Sequence, residues 1–440
     1  MSDDRVFDIV PDGVPEMPPW YALDHAAVIY PAIMSERLTV FFRIQARLDR
    51  PVDVELLTQA TRNVAPRFPY YQVELKRGVF WFYLERNPAP HVPVADSKFP
   101  MQKQGAGQQG AHLYRIRAWN DRVAIEVCHI LTDGGGGYIL FRSILAEYFR
   151  LQGEPVPYGE GIFDPNSTPD PAEWEDSFAR YSVRGTPWPE PEHRAWHIPG
   201  PLLPTGQLRI TTGRLSLQPL MAKAKSLGGT VTEYLVAHYM SVLQDIQDAD
   251  PLEADRFRRR TIKIEVPANM RRLFPSRTMR NFSLFMMPEV DTRLGRWEFD
   301  DIVKTVKHQM ALDLQKHELL RTITRNVEAA RSLWIRALPL PIKNVFMRIL
   351  FHVFGESLYS GVFSNMGPSQ LPDPLASRVK ELDMFMMPSH IVKTAAAMVS
   401  HGDAVSITFC SHAAPNEVER RFFTRLVKDG LRVKVESNIT

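Results

Sequence analysis

The stretch Cys128-His129-Ile130-Leu131-Thr132-Asp133-Gly134, extended by three more glycines to Gly137, decides how this chain reads. It closes the apolar segment "RVAIEVC" (122–128) and precedes "YILFRSILAEYFRLQG" (138–153), whose apolar residues fall at helical spacing. The segment before the histidine alternates. Ala124, Glu126 and Cys128 share one face of a strand; Ile125, Val127 and His129 share the other. His129 therefore projects with apolar neighbours toward the interior. It is either a satisfied core residue or a functional one, because a buried imidazole needs partners or a task. Asp133 follows at a turn, where a carboxylate accepts backbone donors or meets an arginine. The glycines permit backbone angles and close approaches that other residues forbid.

Two other readings of this stretch fail on chemistry. A phosphate loop needs Gly-Lys-Ser/Thr after its glycines, and a dinucleotide fingerprint needs a third glycine where Ile139 stands. Cys128 as a nucleophile with His129 as its base is badly placed, since strand neighbours point to opposite faces.

Working outward, strands are expected at 37–48, on both sides of a turn at Arg77-Gly78, and on both sides of Asn120-Asp121. A helix over 53–68 opens on Asp53 as its cap and stops near Pro66. From 154 to about 205 proline is dense and periodicity is lost, which predicts a long connection over the surface. Within it, 186–205 is taken as a linker between an N-terminal lobe (1–185) and a C-terminal lobe (206–440). The second part repeats the grammar of the first. Strands are expected within 206–217, helices on either side of Gly228-Gly229, and a strand over 260–267 ending at Pro267. After these come a strand at 281–291, a long helical segment over 298–334, two strands, a hairpin and a helix. The fold class is α/β (α+β): two lobes, each a mixed, mainly antiparallel sheet covered by helices.

The totals bound the function. The 440 residues exceed one ordinary core. A net charge of +3 lacks the basic field of a nucleic-acid protein, and "RFRRR" (256–260) reads as a solvated patch. Two cysteines with no Cys/His cluster suggest neither a disulfide framework nor a metal site, and fit a reducing cytoplasm. The opening "MSDDRVFDIV" lacks the features of a signal peptide. The apolar stretch 333–363 is broken by Arg336, Pro339, Pro341, Lys343 and Arg348, so it does not span a bilayer. Amphipathic helices beside an apolar pocket, or peripheral membrane contact, are its two readings.

With these residues in hand, the chain resembles the chloramphenicol-acetyltransferase-like superfamily, which includes peptide-synthetase condensation domains, plant-type acyltransferases, wax-ester synthases and alcohol acetyltransferases. The shared mark is H-H-x-x-x-D-G. Cys128 replaces the first His, while His129, Asp133 and Gly134 match. "WYALDHAAVIYP", "GGTVTEYLVAHYMSVL", "VPANMRRLFPSRTMRNFSLF" and "FSNMGP" echo the family in the same order. The D-F-G-W-G motif of the plant branch is absent. Stand-alone microbial alcohol O-acetyltransferases are the members it looks most like.

The resemblance implies a tunnel between the lobes with His129 at its middle. It implies acyl-CoA as co-substrate, no bound cofactor, and transfer to the hydroxyl of a small or apolar alcohol with His129 as general base. It also implies a structural pair, Asp133 with Arg271, near Gly134. Oxyanion or substrate-binding candidates are Asn281, Ser283, Ser364 and Asn365; strand-end capping is the competing role for Asn281 and Ser283. Arg271 has an ordinary surface pair as its alternative. The Met pairs at 286–287 and 386–387 read as core filler, or as an adaptable tunnel lining. Two rivals stand beside this reading: a carrier-protein-dependent condensing enzyme forming an ester or amide, and a noncatalytic binding protein on the same fold.

Overall fold

Strand Arg122–Cys128 is the middle strand of a five-stranded sheet whose order is Val379–Met386, Phe41–Leu48, Arg122–Cys128, Tyr114–Trp119 and Val94–Ala95. A computed structural model describes residues 17–439 apart from 104–109, 160, 188–191, 252–259, 332–334 and 336. The basic run 256–260 thus lies outside the described residues except at Arg260. All pairings in this first sheet are antiparallel except the short parallel one at its edge. The hairpin turns at Asn120, which takes the positive φ that asparagine tolerates. Helix Val54–Val64 packs on helix Gly134–Leu151 over one face of the sheet, and Asp53 caps the former by accepting from the Glu55 and Leu56 amides.

The second sheet has eight strands and mixed pairing. Its main order is Ser283–Met286, Ile262–Asn269, Gly361–Pro368, Thr394–His401, Ala404–Ser411, Arg209–Ser216 and Lys434–Ser437. Alternation divides its residues. Ile264, Val266, Phe363, Ala396, Met398, Ile407 and Phe409 pack with helices Leu217–Ser226, Val231–Ala249, Phe299–Asp313 and Glu417–Lys428 in one core. Ala397, Val399 and Cys410 face the other way and join the core of the first sheet. A mixed, mainly antiparallel sheet with helices on one side is thus present twice.

Four features differ from the sequence reading. The glycines do not precede the helix; they form its first turn, because Asp133 is the cap. The strand 262–269 runs through Pro267. The proline lacks a donor, but the parallel neighbour pairs only at Ile264 and Glu265, so no ladder bond is lost there. The stretch 154–205 is not merely laid over the surface. Glu173 receives a bidentate ion pair from Arg67 (2.7 Å to each oxygen), and Ala195 and Trp196 are buried. Finally, Val379–Met386 crosses from the later part of the chain to pair with Phe41–Leu48. The Met pairs divide: Met286 packs in the second core, and Met386 and Met387 pack at the first. In the apolar stretch 333–363 the described residues form helix Leu340–Phe354 and the start of strand Gly361–Pro368. Among the described residues no helix is long and apolar enough to cross a membrane.

On the face of the first sheet away from its helices, Glu126 is fully buried and lies 3.0 Å from Arg115, 3.2 Å from Arg43 and 3.4 Å from Arg117. Burial opposes its charge, yet the three guanidiniums hold its carboxyl below the usual range. The polar layer continues through Gln45 and Asp383 to Arg214 of the second sheet. Replacing one member of such a cluster strands the others in low dielectric. Glu126→Ala is therefore expected to destabilise the protein by about 3–5 kcal/mol. Urea unfolding measures this, and a loss under about 1 kcal/mol would refute a structural role for the cluster.

Candidate active site

His129 follows the last residue of the central strand. Its N–H donates to the Val40 carbonyl (2.9 Å), and its own carbonyl accepts from Asn281 Nδ2 (2.9 Å). Val40 has φ +52°, a left-handed conformation that a β-branched residue adopts at a cost of about 1–3 kcal/mol. The imidazole lies beside Phe42 (ring centroids 4.7 Å apart) and Tyr30 (5.6 Å) and keeps part of its surface exposed. Burial pushes its pKa down to about 4. The Asp133 charge, the Thr132 backbone and the Asn281 side chain pull upward without offsetting this.

Asp133 uses both carboxylate oxygens. Oδ1 accepts from the Gly135 (3.1 Å) and Gly136 (3.2 Å) amides and so caps the helix. Oδ2 accepts from Arg271 Nη1 (2.8 Å) and from the Phe282 amide (2.8 Å). Burial opposes its ionisation, but Arg271 and these amides hold its carboxyl below the usual range. Arg271 also donates to the carbonyls of Thr278 and Arg280. The Tyr71 and Thr132 hydroxyls both donate to the Met279 carbonyl. The segment 269–282 therefore clasps the loop 129–136 at three points: His129, Thr132 and Asp133.

This clasp explains the glycines. Gly134 to Gly137 all have ordinary negative φ, so left-handed freedom is not their reason. A Cβ on Gly136 would collide with Thr132 Oγ1, the Met279 carbonyl and the Tyr71 hydroxyl, and one on Gly137 would lie 2.7 Å from the Phe42 ring. Close approach is the cause at both positions.

The four oxyanion candidates separate. Asn281 is buried, and its amide is committed to the His129 carbonyl and to Asp24 Oδ2 (3.0 Å), so it positions the histidine peptide and has no proton left for an oxyanion. Asn365 lies on the helix-covered face of the second sheet. It donates to Thr232 Oγ1 (2.8 Å) and accepts from the Gly367 amide (2.8 Å), so alternation turns it away from the first sheet. Ser364, on the opposite face from Asn365, and half-buried Ser283 have no side-chain hydrogen bond among the described residues. Cys128 is buried and its thiol is pushed up to about 12, so it remains protonated.

Sequence reasoning missed Asp24, Tyr30 and Arg280. Asp24 is fully buried, accepts from Asn281 and from the Ala27 amide (2.7 Å), and lies 3.6 Å from Arg280. Burial raises its carboxyl to about 6, against the pull of Arg280. Asp24 and Tyr30 both fall in the quoted "WYALDHAAVIYP", but nothing in its letters says that they reach His129 or Asn281.

No family model matches the chain, and no curated protein matches its sequence. Solved structures do. The trichothecene 15-O-acetyltransferase of Fusarium sporotrichioides aligns over 95% of this chain and 99% of its own, with TM-score 0.56 and 12% identity. The same organism's TRI101, complexed with coenzyme A and T-2, aligns over 94% and 99%, with TM-score 0.58 and 11% identity. The starter condensation domain of rhizomide synthetase, complexed with C8-CoA, aligns over 92% and 93%, with TM-score 0.55 and 14% identity. At these identities the likeness establishes architecture: the chain has the mixed α/β, two-lobed fold of chloramphenicol-acetyltransferase-like and condensation-domain proteins.

Proposed function

We propose that this protein is an acyl-CoA-dependent O-acyltransferase that acylates an alcohol, with His129 as general base. The observation that carries the reading is the partly buried imidazole whose peptide is gripped by residues from both lobes, on a fold whose solved examples include an acetyltransferase and coenzyme A complexes. The lobes are taken as 1–185 and 206–440, joined through 186–205, with a tunnel between them.

The mechanism follows from the ring's environment. The neutral imidazole carries a proton on one ring nitrogen, and the other nitrogen is the proton acceptor. That nitrogen takes the hydroxyl proton as the alcohol oxygen attacks the thioester carbonyl. The tetrahedral intermediate then collapses, the C–S bond breaks, and the proton passes to the leaving thiolate. Ester and free CoA are the products, and no acyl-enzyme forms, since both substrates meet at one base. Ser283 and Ser364 are the remaining oxyanion donors, and Asp133 with Arg271 holds the loop without taking part in proton transfer. Exposed Ile342, Val345, Ile349 and Phe354 on the helix Leu340–Phe354 support an apolar acceptor delivered near a membrane surface. That helix packs on Tyr30–Ile33, one layer from His129.

The test is a screen of short acyl-CoAs against alcohols, following free thiol and the ester by mass spectrometry. Thiol release that depends on the alcohol is the expected result. Transfer seen only from a phosphopantetheinyl carrier protein would replace acyl-CoA as donor.

A further inference from the structure

Helix Leu340–Phe354 turns large apolar side chains outward. Ile342, Val345, Ile349 and Phe354 are 56–68% exposed, and the first three fall at the i, i+3, i+7 spacing of one stripe. The tip of the hairpin made by strands Val73–Arg77 and Phe82–Arg86 is fastened beside the start of this helix. The Val79 carbonyl accepts from the Leu340 amide (2.9 Å), and the Phe80 carbonyl accepts from Lys343 Nζ (2.8 Å). Val79 and Phe80 are themselves 71% and 45% exposed, so the tip extends the apolar surface past the helix. Exposed apolar surface gathered in this way marks an interface.

The other end of the helix leads to positive charge. His352 is exposed and lies seven residues after Val345, on the same stripe. It lines a cavity of about 320 Å³ together with Arg194, His197, Arg260, His390 and Lys393. No acidic residue lines this cavity. Among the described residues Arg194 and Arg260 have no ion pair, and Lys393 donates to the neutral Gly200 carbonyl (2.7 Å). From residue 329 to 355 the chain contains no Asp or Glu. Of the carboxyls close by in sequence, Glu356 is buried and Glu192 is held by Lys263 (3.1 Å).

We propose that helix Leu340–Phe354 and the hairpin tip at Val79-Phe80 dock on an anionic phospholipid bilayer, with a lipid phosphate held in the cavity of Arg194, Arg260 and Lys393. The apolar side chains stand on a tip and a helix face, the form that enters the boundary between headgroups and acyl chains. An acid-free cationic cavity at the end of the same stripe complements the phosphates of that boundary. Arg348 Nε donates to the Ala32 carbonyl (2.6 Å), so the docked helix is tied to the segment that carries Tyr30, the ring beside His129. The proposal extends the membrane-side delivery of the acceptor, and it does not depend on the acyltransferase chemistry.

The experiment is co-sedimentation of the full chain with phosphatidylcholine vesicles, with and without about one-third phosphatidylglycerol, at low and raised salt. Anionic vesicles are expected to bind about 10- to 100-fold more tightly than neutral ones at low salt, a preference that salt reduces. Arg194→Gln with Arg260→Gln is expected to remove most of this preference. Val345→Ser with Ile349→Ser is expected to weaken binding to anionic vesicles by about 10-fold or more. Thermal melting verifies that both double variants fold. Absent binding, equal binding to the two lipids, or binding unchanged in either double variant overturns the proposal. So does a dimer that binds no vesicles and that Val345→Ser with Ile349→Ser dissociates, since a second copy would then cover the face. Calorimetric binding of coenzyme A that the arginine variant loses, while its vesicle binding is unchanged, would assign the cavity to a soluble phosphate and equally overturn it. Vesicle binding needs no turnover. Its failure leaves the acyltransferase reading standing, and a chain that binds vesicles yet acylates no alcohol loses that reading alone.

Discussion

His129→Ala is expected to fold as the wild type does and to lower turnover by roughly 10²- to 10⁴-fold, the usual contribution of a positioned general base. The fold should survive because the anchors at this position belong to the backbone. The His129 N–H still reaches Val40, and its carbonyl still receives Asn281. His129 keeps part of its surface exposed, so the space its ring would leave is not a sealed cavity. The pH dependence gives an independent reading. Only the neutral ring accepts a proton, and burial lowers its pKa to about 4. The kcat/KM profile should therefore be flat above about pH 5 and fall as pH drops through about 4, with no inflection at an ordinary imidazole value near 6.5. Stability carries the same sign. The unfolded ring binds its proton more readily than the folded one, so this contribution is complete above about pH 6.5 and shrinks as pH falls toward 4. Turnover unchanged in His129→Ala would leave the mechanism without its base.

The depressed pKa marks where sequence reading stopped. Alternation along "RVAIEVCHI" was enough to turn His129 toward Ile125 and Val127, and Asp133 before the glycines was enough to mark a helix start. How deep the ring lies depends on Phe42 and Tyr30, which come from elsewhere in the chain, and no local pattern reports that depth. The same limit governs Asn281 and Asn365. Both stand in segments that resemble the family, yet Asn281 is spent on a carbonyl and Asp24, and Asn365 points into the helix-covered core. A side chain's partners are tertiary facts. Val379–Met386 makes the point for the fold. Its sequence reads as a strand, but its place beside Phe41–Leu48 depends on a chain crossing that propensity does not encode.

Asp133→Ala should behave differently from His129→Ala, because this carboxylate belongs to the scaffold. Its removal uncaps a helix, which costs about 0.5–2 kcal/mol. It also strands the Arg271 guanidinium and the Phe282 amide, so that a total loss of about 3–5 kcal/mol is expected. Turnover should fall as well, even far below the melting point, since the clasp that fixes the histidine peptide loses its centre. Asp133→Asn separates the two roles. An asparagine oxygen still caps Gly135 and Gly136, but its amide would face the Arg271 and Phe282 donors. That variant should keep the cap and lose the cross-lobe bond, falling between wild type and alanine in urea unfolding. A cycle with Arg271→Ala provides the control. If the carboxylate and guanidinium stabilise each other, the double variant loses less than the two single losses combined. Acid unfolding follows the same logic. The folded carboxyl titrates below its unfolded value near 3.9, so its contribution is complete above that pH and disappears as pH falls through the folded pKa. Additive losses in the cycle, or an alanine variant as stable as the wild type, would mean that the loop is held by Thr132 and Asn281 alone.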